Sequence, residues 1–300
     1  MINQSDQNRN VFLKEDSLES ELLACPWCNS KSYKKEIEIQ VNPDIDFRSC
    51  SKCHIGYASR QPHLTYLSEY YQNYYSGKKN NVNADSNRFA KRIITEKKHD
   101  ETISIVDFGG GDGSVAISIA GLLIKQGVKL VNVIVVDPNF QPQTLPNPLI
   151  KVSNVNDLSD INGTYDYVLA SAVLEHLKTP KLHLQGLLGI LKPEGLFYAR
   201  TPYLFPMAKT LRKMGVNVGT QFPAHLFDMG KEFWEQIPSE DWFENEYRII
   251  KSKPSLVEKS FAQNPINNVI GNMIKAPYKI APDKYKTVAG WEIYISKLLK

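Results

Sequence analysis

The stretch that most limits what this chain can fold into is residues 103–113, Ile-Ser-Ile-Val-Asp-Phe-Gly-Gly-Gly-Asp-Gly. A β-branched apolar run ends in a carboxylate, Asp107, and drops into a loop made almost wholly of glycine. The residues that follow, Ser114 to Ile124, carry apolar side chains at helical spacing. Strand, glycine turn and helix predict the first crossover of an open parallel sheet. Glycines at such a turn let a ligand reach backbone that Cβ atoms would otherwise shield.

Further strands follow in order. Val131–Val136 reads as a second buried strand ending at Asp137. An acid there is placed to accept hydrogen bonds from two ribose hydroxyls; the plainer reading is a strand-end turn residue, because Pro138 follows. Pro138, Pro142, Pro146 and Pro148 exclude a regular crossover helix and predict an irregular connection. Leu149–Val152 and Tyr165–Ser171 read as the third and fourth strands, followed by a helix from Pro180 to Leu191, a turn at 192–195 and a fifth strand at Leu196–Arg200. Trp242–Lys251 and Trp291–Ser296 supply a sixth and a last strand. This alternation argues for an α/β parallel sheet. Two long excursions, 203–230 and 254–288, read as lids or acceptor-binding loops, the second with a helix near Asn264–Ile274.

All four cysteines lie in two knuckles, Cys25-Pro26-Trp27-Cys28 and Cys50-Ser51-Lys52-Cys53. That spacing predicts one structural, tetrahedral zinc with no open position for substrate. A disulfide pair or four unrelated thiols are the alternatives; a reducing compartment disfavours the first and the paired spacing the second. His54 is a weaker candidate ligand. The alternating Tyr33–Val41 segment fits a small ribbon of strands. The expected organisation is a polar segment at 1–20 with a short helix around Val11–Leu23, a zinc ribbon at 21–60, and an α/β domain at 61–300. Tyr66, Tyr70, Tyr71, Tyr74 and Tyr75 fall on a linker helix, either packing on the core or covering a ligand. Phe89–Lys97 reads as the helix leading into the first strand.

The formal net charge of +4 over 300 residues is small, which disfavours a mainly electrostatic nucleic-acid partner. The first ten residues carry no apolar h-region, and no apolar run has the length of a membrane span. The expectation is a cytoplasmic protein without membrane insertion.

The glycine loop can be narrowed. A Walker loop needs Gly-Lys-Ser/Thr, and Gly113 is followed directly by Ser114. A dinucleotide fingerprint needs its third glycine where Ser114 stands, whereas the glycine falls at Gly113. Together with Asp137, the Ala170-Ser171…Leu174-Glu175-His176-Leu177 segment and Leu191-Lys192-Pro193-Glu194-Gly195, the loop resembles class I S-adenosylmethionine-dependent methyltransferases.

The resemblance implies a Rossmann-like seven-stranded sheet with its last strand antiparallel. It implies that Asp107 and the backbone of Gly109, Gly110, Gly111 and Gly113 hold the methionine part of the cofactor, and that Asp137 and Pro138 take the ribose. Asn154, where the family often has an aspartate, would face the adenine amine with Val155 beside the ring, and Ser171 completes the set. The proline-rich 138–148 segment and the 254–288 interruption depart from the family pattern. A cysteine ribbon ahead of such a domain is similar to that of bacterial methyltransferases acting on sugars or surface glycans. A small-molecule or sugar acceptor in surface-polysaccharide assembly is therefore expected. An RNA methyltransferase using the ribbon to bind RNA, and a non-catalytic cofactor-binding scaffold, are the alternatives.

Methyl transfer from a sulfonium needs acceptor, carbon and sulfur in line, and a hydroxyl acceptor must lose its proton. His176, just past the fourth strand, and His225, in the 203–230 excursion, are the candidate bases. Glu175 is a candidate to orient a histidine or hold a sugar hydroxyl. His63, His99 and His183 are assigned to surface or packing.

Overall fold

The computed structural model describes residues 12–75, 86–94, 100–141, 145, 147–213, 215, 219–255 and 290–299. Two sheets organise them. The smaller contains β1 (Tyr33–Gln40), β2 (Ile45–Cys50) and β3 (Gly56–Ala58), all antiparallel, preceded by a single 3-10 turn at Glu15–Ser17 in place of the expected helix. Helix α1 (Leu64–Tyr75) carries the tyrosine cluster, and α2 (Ser86–Ile93) leads towards the second sheet.

The larger sheet has seven strands. They are β4 (Thr102–Phe108), β5 (Leu130–Val136), β6 (Ile150–Val155), β7 (Tyr165–Ser171), β8 (Leu191–Pro202), β10 (Tyr247–Pro254) and β11 (Gly290–Lys297). Their spatial order is β10-β11-β8-β7-β4-β5-β6, and β11 runs antiparallel to both neighbours. This is the α/β sheet expected, with its last strand reversed. Its central strands are nearly continuous in Val, Ile and Leu because helices cover both faces. On one face α2 and α3 (Ser114–Lys125) bury Ile93, Ile119 and Leu123 against Ile105 and Val133. On the other face α4 (Pro180–Gly189) and α6 (Lys231–Gln236) bury Leu187, Phe233 and Trp234.

That second face also holds the ribbon. Ile37, Phe47 and Tyr57 from the small sheet share one apolar cluster with Val106 and Phe197 of the large one and Trp234 of α6. The small sheet gains a fourth strand from far along the chain, β9 (Phe227–Asp228), which pairs antiparallel with β3. Trp27 reinforces the contact: its ring meets Phe233 edge-on at 4.8 Å, and its Nε1 donates to Glu240 at 3.0 Å. Lys181 of α4 binds the same Glu240 carboxylate at 2.8 Å.

Several boundaries differ from expectation, and the turn expected at 192–195 lies within β8, which begins at Leu191 rather than Leu196 and pairs with β7 through a register irregularity there. The third strand extends to Val155, and α4 ends at Gly189. The sixth strand begins at Tyr247, because Trp242 and Phe243 sit in a turn in which the Trp242 indole donates to Glu240 at 3.0 Å. Of the 203–230 excursion, Phe205–Lys213 forms helix α5. The helix expected near Asn264–Ile274, and the end of the Phe89–Lys97 helix, lie outside the described residues.

Candidate functional site

The glycine loop joins β4 to α3 at the carboxyl edge of the parallel strands, where open α/β sheets bind ligands. Asp107, the one carboxylate of β4, is buried and its Oδ2 has no hydrogen-bond partner. Burial pushes its pKa up to about 7, the charges of Asp137 and Asp112 act in the same direction, and the Ala116 amide opposes them. Gly110 makes room for it: a Cβ there would stand 2.5 Å from Asp107 Cγ. Gly109, at φ +66°, is held as tightly, since a Cβ would meet Val173 Cγ2 at 2.5 Å.

Asp137 closes the loop from the neighbouring strand. Its Oδ2 accepts from the Gly111 amide at 2.9 Å and its Oδ1 from the Asn139 amide at 2.8 Å. Asn154, on β6, donates its amide to the carbonyls of Val135 and Asp137 at 3.0 and 2.9 Å. Asn154 thus ties β6 to the end of β5.

A cavity of about 760 Å³ opens against this edge. Among the expected residues, Gly109, Asp137, Pro138, His176 and His225 line it. Asp107, Gly110, Gly111, Gly113, Ser171 and Glu175 are not part of that lining, and at the β6 end the wall is formed by Asn156 and Asp157 rather than by Asn154 and Val155. Tyr70 and Tyr71 form part of the wall, which settles the position of two of the clustered tyrosines. His183 also borders the cavity, with its ring 5.8 Å from that of Phe108; its Nδ1 donates to the carbonyl of Thr179, the residue before α4, at 2.8 Å.

At the far end three groups converge. After β7 the chain turns through Ala172 at φ +57° and enters a 3-10 turn over Leu174–His176, which presents His176 to the cavity. His176 Nδ1 lies 2.8 Å from the Ala224 carbonyl. A carbonyl can only accept, so Nδ1 carries a proton, and in the neutral form of the ring the lone pair falls on Nε2. The His176 and His225 rings meet edge to face at 4.8 Å. Burial lowers the His225 pKa to about 3, aided by the charges of His176 and Arg200, so this imidazole is neutral. Glu175 is buried, its Oε2 has no partner, and its Oε1 is 4.0 Å from His176 Nε2. Burial raises its pKa against the opposing charge of His176. The Leu226 amide bonds the Glu175 carbonyl at 2.8 Å, so the two loops that bring these groups together are fastened to each other.

The cysteines form a second centre. Cys25 Sγ is 3.6 Å from Cys53 Sγ, and Cys28 Sγ is 3.5 Å from Cys50 Sγ. Zinc–sulfur bonds of about 2.3 Å place tetrahedral sulfurs about 3.8 Å apart, so the four thiols fit one such ion. The two knuckles share one geometry: Asn29 and His54 follow at φ 58° and 59°, their amides bonded to Cys25 and Cys50 carbonyls. His54 is therefore the turn residue that closes the second knuckle.

Comparison with known proteins matches residues 81–236 to a family described as a methyltransferase domain. No curated protein sequence matches the chain. Similar solved structures include the plantazolicin methyltransferase BpumL in complex with SAH, at 16% identity, covering 78% of this chain and 90% of that one with a TM-score of 0.44. They also include magnesium protoporphyrin IX methyltransferase from Synechocystis PCC 6803 with bound SAH, at 13% identity, covering 78% and 94% with a TM-score of 0.41.

Proposed function

This chain belongs to the methyltransferase-domain family and is an S-adenosylmethionine-dependent methyltransferase, and we propose that it methylates a hydroxyl of a small-molecule or sugar acceptor. Surface-polysaccharide assembly is the setting that the resemblance of its ribbon to glycan-modifying enzymes suggests. The observation that carries the acceptor reading is the His176–Ala224 hydrogen bond, because it leaves the Nε2 lone pair of a half-buried imidazole in the cavity that reaches Gly109 and Asp137.

The residues present fit the cofactor. A buried carboxylate with an unsatisfied oxygen, Asp107, lies under a loop whose Gly111 backbone would meet nothing within 4 Å of an added Cβ. Such a cradle suits a ligand that carries positive charge and needs close backbone approach. Asp107 and the loop amides would hold the methionine portion, and Asp137 the ribose. Bound there, the cofactor supplies an activated methyl group on a sulfonium sulfur.

The protein's own part is alignment and proton handling. Tyr70 and Tyr71 wall the cavity, while Glu175, His176 and His225 form the acceptor end. Imidazoles beside a carboxylate orient a hydroxyl and ease the loss of its proton, a contribution typically of about 10²–10⁴ in rate. We assign the four cysteines to a structural zinc on their spacing and on the sulfur separations. Calorimetry with S-adenosylhomocysteine, followed by labelled-methyl profiling across polyols, glycosides and their deoxy analogues, tests the reading. The expected result is binding of the homocysteine product and label on a hydroxylated acceptor. Label only on RNA, or on none of these acceptors, would overturn it.

A further inference from the structure

We infer that Glu175, His176 and His225 form a second metal centre, a two-histidine, one-carboxylate site for a divalent first-row transition ion that binds the acceptor's oxygen. The inference deepens the reading of these residues as the acceptor end and rests on it.

Their ligand atoms all lie within 4.8 Å of one another. The 4.0 Å gap between His176 Nε2 and Glu175 Oε1 is too long for a hydrogen bond. Two ligands on one face of an ion, each at about 2.0–2.2 Å from it, stand about 2.8–3.6 Å apart. The cluster therefore needs side-chain movement of about an ångström to close around a cation, within reach of rotation about the side-chain bonds.

Three further features prepare it. The Ala224 carbonyl fixes the His176 tautomer with Nε2 free to donate its lone pair, the orientation that a backbone carbonyl gives metal-bound histidines. His225 packs its ring against that of His176 at 4.8 Å, which holds both imidazoles at the same end of the cavity. Glu175 is 2% exposed and its Oε2 is unsatisfied, a costly arrangement unless a cation compensates it. Arg200, whose charge reaches both Glu175 and His225, is the competing partner, yet no hydrogen bond joins it to Glu175. Two imidazoles and a carboxylate occupy one face of an ion and leave the other face open. That open face looks into the cavity, where His176 and His225 line the wall, and suits adjacent oxygens such as those of a sugar diol.

The experiment titrates Mn2+ into the zinc-loaded full chain, with no cofactor or acceptor, and follows free Mn2+ by electron paramagnetic resonance. One Mn2+ should bind per chain while the zinc content of the cysteine site stays unchanged. Glu175→Gln and His225→Asn should each weaken Mn2+ at least about tenfold, and Arg200→Gln, which removes a repelling charge, should tighten it. No saturable Mn2+ in the wild type, or equal binding in the Glu175→Gln and His225→Asn variants, would overturn the proposal. S-adenosylhomocysteine calorimetry on the same samples checks their folding. It also separates the two readings: product binding without Mn2+ binding refutes the metal centre alone.

Discussion

The Ala58 amide donates to the Leu226 carbonyl at 3.0 Å, joining the last strand of the cysteine ribbon to the residue that follows His225. The ribbon thereby buttresses the loop that carries His225 at the far end of the cavity. Cys50→Ser, or removal of zinc by a chelator, should therefore lower turnover at least about tenfold while S-adenosylhomocysteine binding stays within a few-fold of wild type. Parallel kinetics and calorimetry on the zinc-stripped protein check this.

Asp137 holds the glycine loop through the Gly111 amide, a charged hydrogen bond. Such bonds contribute about 1.5–3 kcal/mol, so Asp137→Ala should weaken S-adenosylhomocysteine by about 10- to 100-fold. Direct calorimetry gives the number, and Asp137→Asn, which keeps one acceptor oxygen, should recover part of the loss.

Gly110→Ala tests the close approach of the loop to Asp107. A methyl group 2.5 Å from Cγ must displace the carboxylate or the backbone. Overpacking of this kind costs about 1–3 kcal/mol. The expected outcome is a lower denaturation midpoint together with lost cofactor binding. A variant of normal affinity would mean that the carboxylate is free to move aside.

The pH dependence follows from Asp107 and Asp228, both buried and both raised to about 7 from the usual 3.8. The folded protein binds more protons than the unfolded chain between these values. Their stabilising contribution is therefore present below about pH 4 and disappears as pH rises through about 7. Stability of the cofactor-free protein should fall over that window, and Asp107→Asn should flatten the fall. A positively charged cofactor should bind Asp107 in its ionised form, so S-adenosylmethionine binding near pH 7 should release a proton. Calorimetry in buffers of different ionisation enthalpy measures that release.

Much of the large sheet could be read from residue order. Its strands are buried on both faces, so they stand out as apolar runs, and Asp107, Gly109 and Asp137 mark their carboxyl ends. The cysteine spacing likewise announced one four-thiol cluster. What escaped the sequence depends on contacts between distant residues. Tyr71 reaches the Ala224 carbonyl at 3.3 Å, and nothing in α1 marks that side chain among five tyrosines. His183 borders the cavity because α4 starts directly after the His176 turn, a geometric consequence with no local signature. Phe227–Asp228 looks like loop and becomes a strand only because β3 offers it an edge. The sixth strand was placed too early since Trp242 and Phe243, aromatic and apolar, mimic strand composition while packing in a turn.

The pairing of β3 with β9 also bears on how the molecule is made. Tyr57 leaves the ribosome early, but its partner Phe227 follows only after more than half of the chain has been added. Until then the ribbon has an open sheet edge and a bare apolar face, even if its cysteines have already captured metal. Unpaired edges of this kind invite association with other chains. Nascent or truncated forms ending before residue 227 should therefore be the sticky ones, and the full-length protein the first with both sheets complete.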